Sequence, residues 1–179
     1  GFIDILMFHY VFDRFDMFIP VAEKWEKQAW IRWVAKKLNF VFIDRFNPDL
    51  KALRKMINLM NEGNSLVIAP EGTRSPTASL IAGKPGVAFL AAKSGFPVIP
   101  VGMTGTEDKQ IFYNIKHFTR SKLLLTIGKS FKVDPLPAEG KDLAIKTATD
   151  EIMCQIAALL PISYQGIYAN HPRTLELLS

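Results

Sequence analysis

The sequence predicts an α/β domain with a mostly parallel central sheet flanked by helices. Three observations carry that prediction. Short apolar runs rich in β-branched residues alternate along the chain with segments of helical period. The runs are apolar throughout, without polar alternation, as suits strands buried on both faces. At 179 residues, 49% hydrophobic and 22% charged, the chain can bury one substantial core. No repeat or low-complexity linker interrupts it, so residues 1–179 read as a single domain with a C-terminal tail from about residue 162.

The first stretch, GFIDILMFHYVF (1–12), is oily, but Asp13, Arg14 and Asp16 follow at once. It falls short of the roughly 20 apolar residues that span a bilayer, and it lacks the basic leader of a signal peptide. In EKWEKQAWIRWVAKKL (23–38), Trp25, Ala29, Trp30, Trp33, Val34 and Leu38 recur at helical spacing. FVFID (40–44) is a short aromatic and β-branched run, hence a strand. Asn47 and Pro48 then read as an N-cap and first helical residue. Leu50, Leu53, Ile57 and Met60 keep the helical period until Gly63 stops it.

SLVIA (65–69) is the next predicted strand. Pro85 opens a helix, GVAFLAAKS, that Gly95 ends. PVIPV (97–101) and KLLLTI (122–127) are further strands. Ile145, Ala148, Ile152, Ile156 and Leu159 mark a last long helix, closed by Pro161.

The totals exclude some chemistry. Cys154 is the single cysteine, so no internal disulfide forms, which fits a reducing compartment. His9, His117 and His171 lie far apart with no cysteine beside them, so no metal site is expected. The net charge of +5 suits nucleic acid, an anionic membrane or a phosphorylated small molecule. No helix-turn-helix, zinc or RNA-binding aromatic motif appears, and the basic residues read as spread out, so nucleic acid is not expected as a partner.

Four short stretches carry candidate chemistry. In APEGTR (69–74), Pro70 ends a strand, Gly72 permits a sharp turn, Glu71 supplies an acceptor and Arg74 a planar donor fork suited to phosphate. Taken alone, Glu71 and Arg74 read as an exposed ion pair. In FIDRFN (42–47), Arg45 stands just beyond a strand end, where Asp44 or Asp49 can pair with it. VIPVGMTGTE (98–107) places a proline in an apolar strand, as at an edge or bulge. In GFIDI (1–5), Asp4 sits among apolar residues, where it can cap a helix or orient a base.

In order, GFID, FIDR, PEGTR and VIPVG resemble the ordered blocks of the glycerolipid acyltransferase family, whose best-known members acylate lysophosphatidic acid. The resemblance covers roughly residues 1 to 130. LPISYQGIYA (160–169) is similar to the family's bacterial branch. The first family block is a histidine followed five residues later by an aspartate. With Asp4 as that aspartate, the histidine would fall two residues before Gly1, so the chain is expected to be truncated within that block. His9 follows Asp4 in the wrong order and is read as a helix residue without a catalytic role.

The resemblance implies transfer of a fatty acyl group from a thioester, carried by coenzyme A or acyl carrier protein, to the free hydroxyl of a lysophospholipid. No cofactor or metal is implied. Asp4 would orient the histidine base. Arg45 and Arg74 would hold the acceptor's phosphate, and Glu71 would accept from a glycerol hydroxyl. Gly72 and Thr73 would shape the loop, and Lys84 would assist at a helix start. With no serine elbow and Cys154 in an apolar helix, no covalent acyl-enzyme is expected.

The three tryptophans of 23–38, set among Lys24, Lys27, Arg32, Lys36 and Lys37, suit peripheral contact with an anionic membrane as well as packing on the sheet. The cytoplasmic face of the membrane is the expected location, reached peripherally or through a segment preceding Gly1. The alternative reading is a non-catalytic lipid- or acyl-carrier-binding module.

Overall fold

The computed structural model describes residues 2–12, 16–37, 39–43, 50–73 and 75–179. They divide into two compact units: Phe12–Ala69, and Gly1–Val11 with Pro70–Ser179.

The first unit is a three-stranded parallel sheet. Its middle strand is β1 (Met17–Ala22), flanked by β2 (Phe40–Ile43) and β3 (Ser65–Leu66). Ile19 lies opposite Phe40, Ala22 opposite Ile43, and Met17 opposite Ser65. Helix α1 (Phe2–Phe12) precedes β1. Helix α2 (Ala29–Lys37) connects β1 to β2, and α3 (Leu50–Asn61) connects β2 to β3. These helix-linked connections are what parallel pairing requires. Met17, Phe18, Ile19 and Ala22 are buried with Val41, with Ile31 and Ala35 of α2 and with Met56 of α3, so these two helices turn apolar residues inward.

Strand β1 went unrecognised in the sequence, although it is the centre of its sheet. Pro20 argues against a central strand, because it cannot donate to a ladder. The bonding pattern explains why it is tolerated. The Ile19 N–H donates to the Asn39 carbonyl on the β2 side, while the Phe18 carbonyl accepts from Val67 on the β3 side. Backbone groups alternate along a strand, so Pro20 faces β3 as Phe18 does. The next rung, from residue 20 to the Val67 carbonyl, cannot form, and β3 pairs over only two residues.

The predicted strand 65–69 is thereby shortened. The predicted helix 23–38 is also corrected: a 3-10 turn, Glu23–Trp25, comes first, and α2 begins at Ala29. Asp44 and the expected cap at Asn47 and Pro48 lie outside the described residues.

The second unit holds α4 (Pro85–Ser94), β4 (Val101–Thr104), α5 (Asp108–Lys116), β5 (Leu124–Ile127), α6 (Lys141–Ala157) and α7 (Pro172–Leu178). Helices α4 and α6 form where the sequence predicts them, with Val87, Ala88, Leu90 and Ala91 buried on α4. On α6 the buried face is Thr149, Ile152, Met153, Cys154 and Ala157, so of the predicted stripe only Ile152 is buried, while Ile145, Ala148 and Ile156 are half-buried. The stretch expected as a strand over 97–101 differs. Pro97 and Pro100 lack the N–H a ladder needs, so only Val98 bridges, to Phe131, and the strand proper starts at Val101. It pairs antiparallel with β5, Val101 opposite Ile127.

The segment read as a tail from about residue 162 is packed. Tyr168 joins Met153, Cys154 and Ala157 in one buried cluster against Leu80 and Leu177, and Thr174 is wholly buried. Among the described residues, no helix is long and apolar enough to cross a membrane.

Candidate active site

The loop 70–84 is built around Glu71. The Lys84 N–H donates to the Pro70 carbonyl at 2.8 Å and closes the loop at its base. Within it, Glu71 Oε1 accepts from the Ile81 N–H at 2.9 Å. The carboxyl is half-buried, and desolvation raises its pKa above the ordinary value while the Ile81 hydrogen bond works the other way. The hydrogen bond from Ile81 fixes the position of the carboxyl group. Gly72 makes the turn at φ +65, and a Cβ there would lie 3.3 Å from Lys84 Cγ. The lysine stem therefore lies across the glycine, which brings Glu71, Gly72 and Lys84 into one small neighbourhood.

The far side of the loop is tied to the C-terminal segment, through 3-10 turns at Ile162–Tyr164 and Gly166–Tyr168. The Leu80 N–H donates to the Tyr164 carbonyl at 2.8 Å, and the Ile167 N–H donates to the Leu80 carbonyl at 3.3 Å. The Gly83 N–H donates to Tyr168 Oη at 3.2 Å. Gly166, at φ +55, passes so close that any side chain would meet the Leu80 carbonyl. Gly83 packs on α6, where a Cβ would come within 2.7 Å of Met153.

These anchors bracket Ile81, the residue whose N–H holds Glu71. Tyr164, Gly166 and Tyr168 were not among the residues predicted from the sequence to form the site. The one signal for them is the stretch LPISYQGIYA, which proves to be the loop's support.

Of the other predicted residues, Thr73 is exposed on the loop. Lys84 is exposed and extended (φ −86, ψ 139) immediately before α4, whose first residue is Pro85. Asp4 lies in the first turn of α1, where a carboxylate suits the helix dipole. Arg45 and Arg74 lie outside the described residues.

Cys154 is buried, and desolvation raises its thiol pKa, which disfavours the thiolate a nucleophile needs. Its Sγ is 3.3 Å from His171 Nδ1, and that nitrogen also accepts the Arg173 N–H that caps α7. The pair therefore serves packing and capping. No three His, Cys, Asp or Glu side chains among the described residues form a group that could hold a metal.

The first unit is a parallel βαβ core, and the second carries a polar, glycine-turned loop holding a half-buried carboxylate, features of an α/β protein. Residues 1–104 match the family model described as Acyltransferase, and the chain belongs to that acyltransferase family.

Among curated proteins it is similar to the chloroplastic 1-acyl-sn-glycerol-3-phosphate acyltransferase BAT2 of Brassica napus, 35% identical over 42% of this chain and 23% of that one. The 1-acyl-sn-glycerol-3-phosphate acyltransferase of Bacillus subtilis is 29% identical over 58% of this chain and 48% of that one. The chain thus spans about a quarter of the length of the Brassica relative. The crystal structure of the 1-acyl-sn-glycerophosphate (LPA) acyltransferase PlsC from Thermotoga maritima shares the fold. It aligns with a TM-score of 0.52 at 23% identity, over 76% of this chain and 57% of that one.

Proposed function

We propose that this chain is part of an O-acyltransferase that moves a fatty acyl group from a thioester to the free hydroxyl of lysophosphatidic acid, giving phosphatidic acid at a membrane's cytoplasmic face. The observation that carries the reading is the loop 70–84, with Glu71 fixed by Ile81 and the loop pinned through Leu80 and Gly83. Relatives bearing the name 1-acyl-sn-glycerol-3-phosphate acyltransferase support the substrate.

The chemistry needs a base, because a neutral hydroxyl attacks a thioester poorly. In the family's first block that base would be a histidine five residues before Asp4, and Asp4 would hold its imidazole. The oxygen bonds to the thioester carbon, and the tetrahedral adduct collapses by breaking the C–S bond. The departing thiolate recovers the proton from the imidazolium. The donor, acyl-CoA or acyl carrier protein, is a substrate, and no cofactor takes part.

Arg45 and Arg74 bind the acceptor's phosphate, Lys84 adds charge beside it, and Glu71 accepts from a glycerol hydroxyl. Thr73 and Gly72 shape the turn that follows Glu71.

The test is thiol release from palmitoyl-CoA by the full-length protein, with lysophosphatidic acid or an uncharged monoacylglycerol as acceptor. Glu71→Ala is expected to lower kcat/KM about a hundredfold or more with the fold intact. Turnover near the wild-type rate by the variant overturns the role of Glu71, equal use of the two acceptors overturns the phosphorylated acceptor, and no thiol release by the wild type favours a non-catalytic lipid-binding role.

A further inference from the structure

Residues 109–133 contain Lys109, Lys116, Arg120, Lys122, Lys129 and Lys132 and not one aspartate or glutamate. This stretch carries +6, more than the whole chain's net +5. The structure adds what the sequence conceals: large apolar side chains here face solvent. On α5, Ile111 and Asn114 are buried, while Phe112 is 66% exposed, Tyr113 58% and Ile115 64%. Phe118, just past the helix, is 98% exposed. Leu124 and Ile127 of β5 are also exposed. Helical spacing puts Lys116 between Phe112 and Tyr113 on the outer face.

The display is built, not frayed. Asn114 Nδ2 donates to Ser121 Oγ at 3.0 Å, and the Thr119 N–H donates to the Asn114 carbonyl at 2.8 Å. His117 Nδ1 lies 2.8 Å from the Tyr113 carbonyl, and the two rings stack at 4.1 Å. These ties hold Phe118 at φ +51, a left-handed conformation uncommon for a bulky residue, so that its ring projects.

We propose that the α5–β5 segment is an anionic-lipid contact surface, with Phe118, Phe112 and Ile115 entering the headgroup–acyl boundary and Lys116, Arg120 and Lys122 meeting anionic headgroups. A phosphate-rich surface complements the cations Lys116, Arg120 and Lys122, which follow one another along the segment with Glu107 and Asp108 confined to its start. Exposed aliphatic side chains beside the aromatics favour lipid over nucleic acid, which recruits aromatics and cations but gains little from isoleucine or leucine. A ring that projects almost fully enters a fluid interface without needing a preformed pocket. This surface is independent of the acyl-transfer reading.

The test is co-sedimentation of the chain with vesicles of phosphatidylcholine alone, and of phosphatidylcholine containing phosphatidylglycerol. Binding is expected on the anionic vesicles only, falling with added salt. Lys116→Gln with Arg120→Gln is expected to weaken it about thirtyfold, near fivefold per charge. Phe112→Ser with Phe118→Ser is expected to weaken it about tenfold or more, with unchanged circular dichroism. Four outcomes overturn the proposal: no binding by the wild type, equal binding to neutral vesicles, undiminished binding by both variants, or retention on a single-stranded oligonucleotide with none on vesicles.

Discussion

The loop 70–84 and the segment 109–133 both belong to the second compact unit, yet they are organised in opposite ways. In the loop, Pro70 pairs with Lys84 and Glu71 with Ile81 across the loop itself, while Leu80 and Gly83 are held by Tyr164, Ile167 and Tyr168 of the C-terminal segment. In the segment, α5 is secured through Ile111 and Asn114, and its apolar outer face is left to solvent. Chemistry at a reacting centre demands fixed positions, because a small displacement costs rate. Attraction to a surface demands only that the right groups project. Partnered backbone marks the first, and unpartnered apolar area the second.

Substitutions sharpen that contrast. The largest effect is expected at Gly166→Ala. The change forces a side chain into a left-handed φ and against the Leu80 carbonyl, at about 3 kcal/mol or more, read as a lower midpoint in urea. An unchanged midpoint would mean that the C-terminal turns do not support the loop. Tyr168→Phe removes the acceptor for the Gly83 N–H and is expected to cost about 1–2 kcal/mol.

Two carboxylates should respond oppositely to pH. Glu151 is bound by Arg173 through two hydrogen bonds of 2.7 and 3.0 Å, and this pairing lowers its pKa. Its contribution is therefore complete above the ordinary carboxylate range and fades as pH falls through the lowered value. Wild type and Glu151→Gln should converge in thermal midpoint on acidification. Glu71 is raised, chiefly by desolvation, so the folded state holds its proton more tightly than the unfolded chain does. Stability from that source is present at low pH and is lost as pH rises through the raised value. Glu71→Gln keeps an oxygen for the Ile81 N–H and should gain on wild type as pH rises. A parallel response of the two variants would refute the environments assigned to them.

The smallest stability effect is expected at Phe118→Ser, within about 0.5 kcal/mol, because that side chain has almost no protein contact to lose. A larger loss by calorimetry would show that the ring packs in solution, and the two regions would no longer differ in kind.

Elements bounded by clear stops or apolar runs were legible in the sequence: α3 and α4 with their glycine stops, α6 before Pro161, and strands β2 and β5 to within a few residues. The others fail for identifiable reasons. Pro20 disguised β1, and only the alternation of its neighbours' hydrogen bonds shows why a proline is tolerated there. Helix α5 turns much of its apolar surface outward, so a rule that reads apolar as buried cannot place it. Of the candidate site, Glu71, Gly72 and Lys84 were named from sequence and are found together, whereas Tyr164, Gly166 and Tyr168 were not named.

What the amino-acid order determined alone was local: period, caps, stops and the family's short blocks. Those follow from side-chain type and spacing within a few residues. Only the folded chain decided that Gly83 would meet a tyrosine hydroxyl 85 positions away, and that a carboxyl in a loop would be half-desolvated. Such partners are chosen by how remote surfaces pack, a quantity that no short window of sequence contains.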